Sequence, residues 1–345
     1  MRKDKFVLLH GSIKNVGDFL IYERARQLVE HYRQPGELIE LPRWQPLDEY
    51  LDVINRSTAV IMCGGPAYAA NFYPNIYPFL KNLAHIRVPI IPLGLGWSGK
   101  VNADTGKFEF TQQSHSAIEE IHNRIPFSSV RDVLTEEIIK KAGIKNIMMT
   151  GCPAWYSLPD LDRGFEAPQI IRRVVISTPA RRRHFYQAKQ VVDLVKRRFP
   201  KAQKHLVFHR GILPDKNKTI NKSVFDAGLA IYGKSRGFHV TDASYSTRKI
   251  DFYRECDLHI GFRVHAHIDF LSFRKPSILL QEDGRGLGQS KTLQTQDISS
   301  QSQNPIQELE TILSKHLDEK FIAFEKTIGI MKEKQEVMQQ FLASF

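Results

Sequence analysis

Cysteine is scarce: Cys63, Cys152 and Cys256 are the three in 345 residues, too few and too scattered to frame a disulfide-stapled fold. Low-complexity tracts and short-period repeats are also missing, which excludes fibrous and solenoid architectures. Ser57–Leu80 carries no charge, yet Gly64-Gly65-Pro66, Pro74 and Pro78 would break any helix there and leave backbone groups unpaired in lipid, so no membrane span is expected. The opening Met1-Arg2-Lys3-Asp4-Lys5 has neither an apolar run nor a small-residue cleavage site, so no signal peptide is expected and the chain reads as cytoplasmic. Negative charge is in deficit, 37 acidic against 49 basic residues, for a net +12. That balance calls for anionic company: nucleic acid, lipid headgroups or a phosphorylated small molecule. Nucleic acid is disfavoured because no binding motif accompanies the charge.

Much of the basic excess lies between Arg163 and Arg210, in Arg172-Arg173, Arg181-Arg182-Arg183-His184 and Lys196-Arg197-Arg198, with Lys201 and Lys204. The Lys196–Lys204 group reads as a solvated helix face.

Short apolar runs alternate with amphipathic segments along most of the chain. Phe6–Leu9, Glu37–Leu41, Thr58–Cys63, Pro89–Leu93, Ser128–Val130 and Asn146–Met149 read as strands. A helix from about Asp18, then Leu47–Asn55, Ile76–Ile86, Gln112–Arg124 and Thr135–Ala142, reads as the helices between them. Continuous apolar strands imply cover on both faces, hence a doubly wound α/β domain over 1–158. After Leu158-Pro159-Asp160 the alternation resumes as a second α/β domain over 159–303. Residues 304–345 read as helical, with Ile306, Leu309, Leu313 and Leu317 on the inner face. The expected architecture is two such domains facing a cleft, the final helix packing back across, with ligands outside the carboxyl ends of the strands.

Several strand exits carry chemistry. Gly94-Leu95-Gly96-Trp97-Ser98-Gly99 fits a dinucleotide fingerprint, but Lys100–Gly106 after it is loop chemistry rather than an apolar helix, so a glycine-rich strand exit is the better account. His265-Ala266-His267-Ile268-Asp269 imitates a metal motif, yet on a helix residues two apart face different ways, so His267 and Asp269 read as helix surface or domain packing and no metal is expected. Arg263 and His265 stand where a strand meets a helix N-terminus, a place suited to an anion, with a guanidinium fork and a proton carrier at hand. An ordinary salt bridge and a capping histidine are the bland alternative. In Asn15-Val16-Gly17-Asp18 the aspartate is either an N-cap or a carboxylate aimed at the ligand. Gly64-Gly65 exposes backbone N–H groups or makes a tight turn, and Glu282-Asp283-Gly284-Arg285 ends another strand.

In order, N-x-G-D, G-G-P, P-x-G-L-G, S-V-R-D-x-x-T, T-G-C-P-A, R-x-H and P-S-I-L-L-x-E-D-x-R run from Asn15 to Arg285. This set resembles the polysaccharide pyruvyl transferase family. The resemblance implies two Rossmann-like domains in a GT-B-like layout and transfer of pyruvate from phosphoenolpyruvate to a sugar as a ketal, with no further cofactor. It places Arg263 and His265 on the donor, His265 as the acid, and adds a basic residue from Arg181-Arg182-Arg183, with Arg181 and Arg183 as candidates. Asp18 would be the base; Asn15, Gly17, Gly64, Gly65, Glu282 and Arg285 would line the substrates. Cys152 stands where the family's usual motif has an aspartate. The expected acceptor is a surface-polysaccharide or lipid-linked sugar, with peripheral membrane contact at the inner face through the basic patches. Two alternatives share these residues: a glycosyltransferase in which Glu282 contacts a ribose and Arg263 a diphosphate, and a non-catalytic carbohydrate- or anion-binding protein.

Overall fold

Phe6, Val7, Leu8 and Leu9 are all buried, as an apolar run must be when helices cover both faces of a parallel sheet. They form β1 (Lys5–His10), followed by α1 (Val16–Arg33), β2 (Glu37–Pro42), α2 (Leu51–Asn55) and β3 (Ala59–Tyr68). β4 (Ile90–Trp97), α3 (Gln112–His122), β5 (Ser128–Val130), α4 (Val133–Lys141) and β6 (Ile147–Met149) complete a six-stranded parallel sheet of order β2-β1-β3-β4-β5-β6. The computed structural model describes residues 3–79, 83–99 and 105–345. They divide into two units: Met1–Gly11, Ile21–Leu158 and Met331–Phe345 form the first, Ser12–Leu20 and Pro159–Ile330 the second.

The second unit contains β7 (Arg173–Ser177), α5 (Phe185–Arg198), β8 (Gln203–Phe208), α6 (Ile220–Ser235), β9 (His239–Asp242), β10 (Leu258–Gly261), α7 (Val264–Ser272), β11 (Ser277–Gln281), α8 (Gly284–Leu293) and β12 (Ile298–Ser299). Its six strands are parallel in the order β12-β11-β10-β7-β8-β9. The winding reverses between β7 and β10, and in open α/β sheets ligands bind at that switch point, beyond the carboxyl ends of the strands. Val16 is buried in this unit's core beside Val175, Val207, Ala266 and Phe270, and its N–H donates to the His209 carbonyl at 3.0 Å. This is why Ser12–Leu20 counts with the second unit.

α9 (Pro305–Asp318) and α10 (Ala323–Ala343) close the chain. The last turns of α10 belong to the first unit, where the Leu342 carbonyl accepts from Arg33 at 3.1 Å and the Phe345 ring meets Phe6 edge-on at 6.1 Å.

Several local expectations are corrected. β3 and β4 do not end before their glycines but run through them. Gly64 (φ +58°) is required because a β-carbon there would stand 2.4 Å from Ile21, and Gly94 (φ +63°) because one would stand 2.4 Å from Pro153. The G-x-G-x-x-G stretch therefore lies mostly within a strand, while Lys100–Asp104 fall outside the described residues. The helix expected at Ile76–Ile86 falls partly on residues 80–82, also outside them; the described part of that region has a single turn at Phe72–Ile76 and another at Leu83–His85. α1 starts at Val16, so Asp18 lies in its first turn and is not its N-cap. α8 was not anticipated, since its first turn, Gly284-Arg285-Gly286, contains the residues that usually end helices. The C-terminal segment is two helices, broken at Lys320 and Phe321, both with positive φ. Of the two readings of His267 and Asp269, packing holds and helix surface does not: both are buried. Lys204 is not solvated either: it is 8% exposed and its ammonium donates to the carbonyls of Phe199 and Pro200 beyond α5.

Candidate functional site

Five segments of the second unit supply the candidate residues: the exits of β7, β8, β10 and β11, and Ser12–Leu20. At the β10 exit Arg263 occupies the N-cap of α7 with extended backbone (φ −92°, ψ 115°). Its side chain has no acceptor, and it makes no capping hydrogen bond to the helix. The guanidinium is oriented by the β7 exit: Nε donates to the Thr178 carbonyl at 2.7 Å and Nη2 to the Pro179 carbonyl at 3.1 Å. Nη1 has no protein acceptor among the described residues. Burial, followed by the neighbouring charge of Arg210, pushes this guanidinium down to about 10, with Glu282 and Asp226 acting in the opposite direction. It is still charged at neutral pH, in surroundings that favour an added anion.

His265, buried at 5% exposure, packs against the backbone of Gly17, where a β-carbon would lie 2.7 Å from Nδ1. The Asn15 carbonyl accepts from the Asp18 N–H at 3.0 Å, tightening the turn into α1. Asn15 Oδ1 is buried without a hydrogen-bond partner among the described residues. An unpaired buried acceptor is costly, and a ligand hydroxyl would satisfy it. Burial works against the charge of Arg285, its bond to Asp283 upholds it, and the negative charge of Asp18 adds to that. Lys14 anchors the same segment to the β8–α6 connection through an ion pair with Asp215.

Glu282 is committed to structure. Its two oxygens accept the N–H groups of Ala180 and Arg181 at 2.8 and 3.1 Å, so it holds the loop whose carbonyls orient Arg263. Arg285 forms a fork with the carboxylate of Asp283, at 2.9 and 2.7 Å. Of the three consecutive arginines, Arg182 lies 4.8 Å over the Phe225 ring and Arg183 donates to His184 at 3.0 Å. The Arg181 guanidinium is exposed and has no partner among the described residues. Gly64 and Gly65 belong to the first unit, Gly64 packed on Ile21 and Gly65 (φ +83°) beside Arg43.

Arg210, at the β8 exit, is the residue the sequence reading missed: it was counted only as one end of the basic stretch. Its signal was available, since Phe208-His209-Arg210-Gly211 ends a strand in the same way as the other exits. His209 beside it is buried and held well below the usual imidazole range by burial and by Arg263.

A buried chain of hydrogen bonds supports the β10 exit from behind. The Arg263 N–H donates to Ser177 Oγ at 3.0 Å. Ser177 Oγ meets His259 Nε2 at 2.8 Å, His259 Nδ1 meets Ser277 Oγ at 2.7 Å, and His267 Nδ1 meets the same Oγ at 2.8 Å. The Asp297 carboxylate lies 3.8 Å from His267 Nε2. Both rings are neutral because burial lowers their pKa. Nε2 itself makes no hydrogen bond among the described residues, and the nearby carboxylate charge favours the proton on it; Ser277 then donates to His267 Nδ1, His259 donates from Nδ1, and Ser177 donates to His259 Nε2. Every link then points the same way.

No group of three His, Cys, Asp or Glu side chains placed to hold a metal occurs among the described residues. Nor is any described helix long and apolar enough to cross a membrane.

Two parallel six-stranded sheets, the second wound about a β7/β10 switch point, define a GT-B-like α/β protein, and solved structures share the architecture. UDP-GlcNAc 2-epimerase from Neisseria meningitidis, bound to UDP-GlcNAc, superposes with a TM-score of 0.58 at 11% identity, covering 98% of this chain and 100% of that one. UDP-GlcNAc 2-epimerase from Methanocaldococcus jannaschii gives 0.51 at 9% identity over 90% and 92%. The wall teichoic acid polymerase TagF gives 0.50 at 12% identity over 98% and 88%. Such low identities speak for the fold alone. No curated protein matches the chain. The family model described as polysaccharide pyruvyl transferase matches residues 15–284, and the chain belongs to that family of transferases.

Proposed function

We propose that the protein transfers the pyruvyl group of phosphoenolpyruvate to two hydroxyls of a sugar in a polysaccharide or its lipid-linked precursor, at the inner face of a membrane. The observation that carries this reading is Arg263 at the switch point: its fork is oriented by two carbonyls, one nitrogen is left over, and Arg210 stands close by. Phosphoenolpyruvate has a phosphate and a carboxylate, which suit Arg263 with the α7 N-terminus and a second cation, Arg181 or Arg210.

His265 would protonate the methylene carbon, since a neighbouring phosphate favours the imidazolium form. A sugar hydroxyl then bonds to the adjacent carbon and gives up its proton, with Asp18 as the base. Phosphate departs with its electron pair, and a second hydroxyl closes the ketal as it loses a proton. Asn15 Oδ1 suits a hydroxyl of the acceptor. The glycosyltransferase alternative needs Glu282 to accept from ribose hydroxyls, and both of its oxygens already hold the Ala180–Arg181 turn.

Incubation with phosphoenolpyruvate and a panel of glycans should release phosphate and give a product heavier by one pyruvyl ketal. Stabilisation by nucleotide sugars but not by phosphoenolpyruvate, with no phosphate released, would overturn the reading.

A further inference from the structure

Helix α6 carries apolar residues on a buried side and on an exposed one. Leu229 and Ala230 are buried on its inner side. At about 100° per residue, Ile220, Val224, Ala227 and Ile231 align on the other. That outer stripe faces solvent: Ile220 is 70% exposed, Val224 61% and Ile231 70%. Leu213, in the loop before the helix, and Tyr186, at the start of α5, are also exposed. The Phe185 ring meets Phe225 of α6 edge-on at 5.7 Å, so the start of α5 borders the helix. Isolated exposed apolar residues need no explanation, but an aligned stripe on one helix does.

The charge around the stripe that has no opposite partner among the described residues is positive. Asp215 is paired with Lys14, Asp226 with Lys218, and Asp193 with Arg236. Lys216, Lys234 and Arg182 have no acidic partner among the described residues. Apolar side chains rimmed by cations match the boundary between acyl chains and anionic headgroups. A second copy of the chain would set this rim against itself, because a twofold contact is self-complementary and like charges repel.

We propose that the α6 face docks the protein peripherally on an anionic lipid surface. The β8–α6 connection that starts at Arg210 and carries Asp215, the partner of Lys14, leads directly into this face. Docking would therefore keep the Arg263 site near the headgroups, where a lipid-linked sugar presents its hydroxyls; that last step rests on the transferase reading above.

The test is flotation with phosphatidylcholine vesicles with and without phosphatidylglycerol. The unaltered protein should float only with the anionic vesicles, and less so in high salt. Ile220→Ser, Val224→Ser and Ile231→Ser together should lower the partition coefficient by about tenfold or more, with melting temperature and phosphoenolpyruvate affinity unchanged. No flotation, equal flotation of the triple variant, or self-association that the triple variant abolishes without any vesicle binding would overturn the proposal. Turnover on a water-soluble acceptor, measured on the same samples, separates the two readings. Flotation without turnover removes the transferase reading alone, and turnover without flotation removes the docking face alone.

Discussion

The imidazole of His265 rests on the bare backbone of Gly17: a β-carbon there would stand 2.7 Å from Nδ1 and 2.8 Å from the Cβ of the histidine. The two residues are far apart in sequence, and the absence of one side chain defines where the other can be. Gly17 lies in the first turn of α1, where alanine would ordinarily favour the helix by about 1 kcal/mol.

Gly17→Ala should therefore displace the ring instead of stabilising the protein. Turnover of phosphoenolpyruvate is expected to fall by about a hundredfold, the usual cost of misplacing a reacting group by an ångström. Steady-state kinetics beside a thermal melt would check it. An active and more stable variant would show that the ring has room to move.

Arg263→Lys keeps the charge but loses the fork. A lysine ammonium cannot hold the Thr178 and Pro179 carbonyls and still offer a planar donor pair to a ligand. Affinity for phosphoenolpyruvate should drop by about tenfold to a hundredfold, equivalent to one charge-assisted hydrogen bond. Titration calorimetry gives that number directly, and unchanged affinity would remove Arg263 from the donor site.

Asp132, 2% exposed, caps α4 through the Thr135 N–H at 2.8 Å and pairs with the buried Arg131 at 3.1 Å. Asp132→Ala should cost about 3–5 kcal/mol, because it removes the carboxylate beside a buried guanidinium as well as a cap. Urea denaturation would register the loss as a lower midpoint.

His209, His259 and His267 are buried with their pKa values depressed. A depressed pKa means that the unfolded chain binds the proton first, so this contribution to stability is present above the unfolded value near 6.5 and is lost as pH falls below it. Each such histidine should remove about 1.4 kcal/mol per pH unit below that point until the folded protein takes up the proton. Melting temperatures recorded downward from neutral pH would show the decline, and His259→Gln should make it shallower. A flat profile would mean that the rings are already protonated or exposed.

The chain of hydrogen bonds from Arg263 to His267, with the Asp297 carboxylate 3.8 Å beyond it, predicts which nitrogen carries each proton. Nitrogen NMR should find His259 protonated at Nδ1 and His267 at Nε2. Asp297→Asn should weaken the preference at His267. The opposite tautomers in the unaltered protein would reverse the proposed direction.

Elements were legible where burial imposes a period. β5 spans the same residues, Ser128–Val130, as the apolar run that announced it, and β2 runs one residue past its expected Glu37–Leu41, to Pro42. The errors fell where glycine had two possible uses. Gly64 and Gly94 looked like strand exits but allow Ile21 and Pro153 to approach a strand that continues, and Gly284, read as part of a strand end, begins a helix. Composition alone does not distinguish a glycine that bends the chain from one that makes room for a neighbour.

By itself, the order of apolar runs and motifs was enough to specify two α/β units, the family, and the stretch around Arg263 and His265 as the place to look. Tertiary structure alone decided how the polar groups are used. Glu282 is spent on backbone N–H groups about a hundred residues away, Arg182 on an aromatic face, and Arg181 is left exposed. The physical reason is that burial leaves a local, periodic trace in a sequence, whereas a hydrogen bond is a choice among partners that only folding brings within 3 Å.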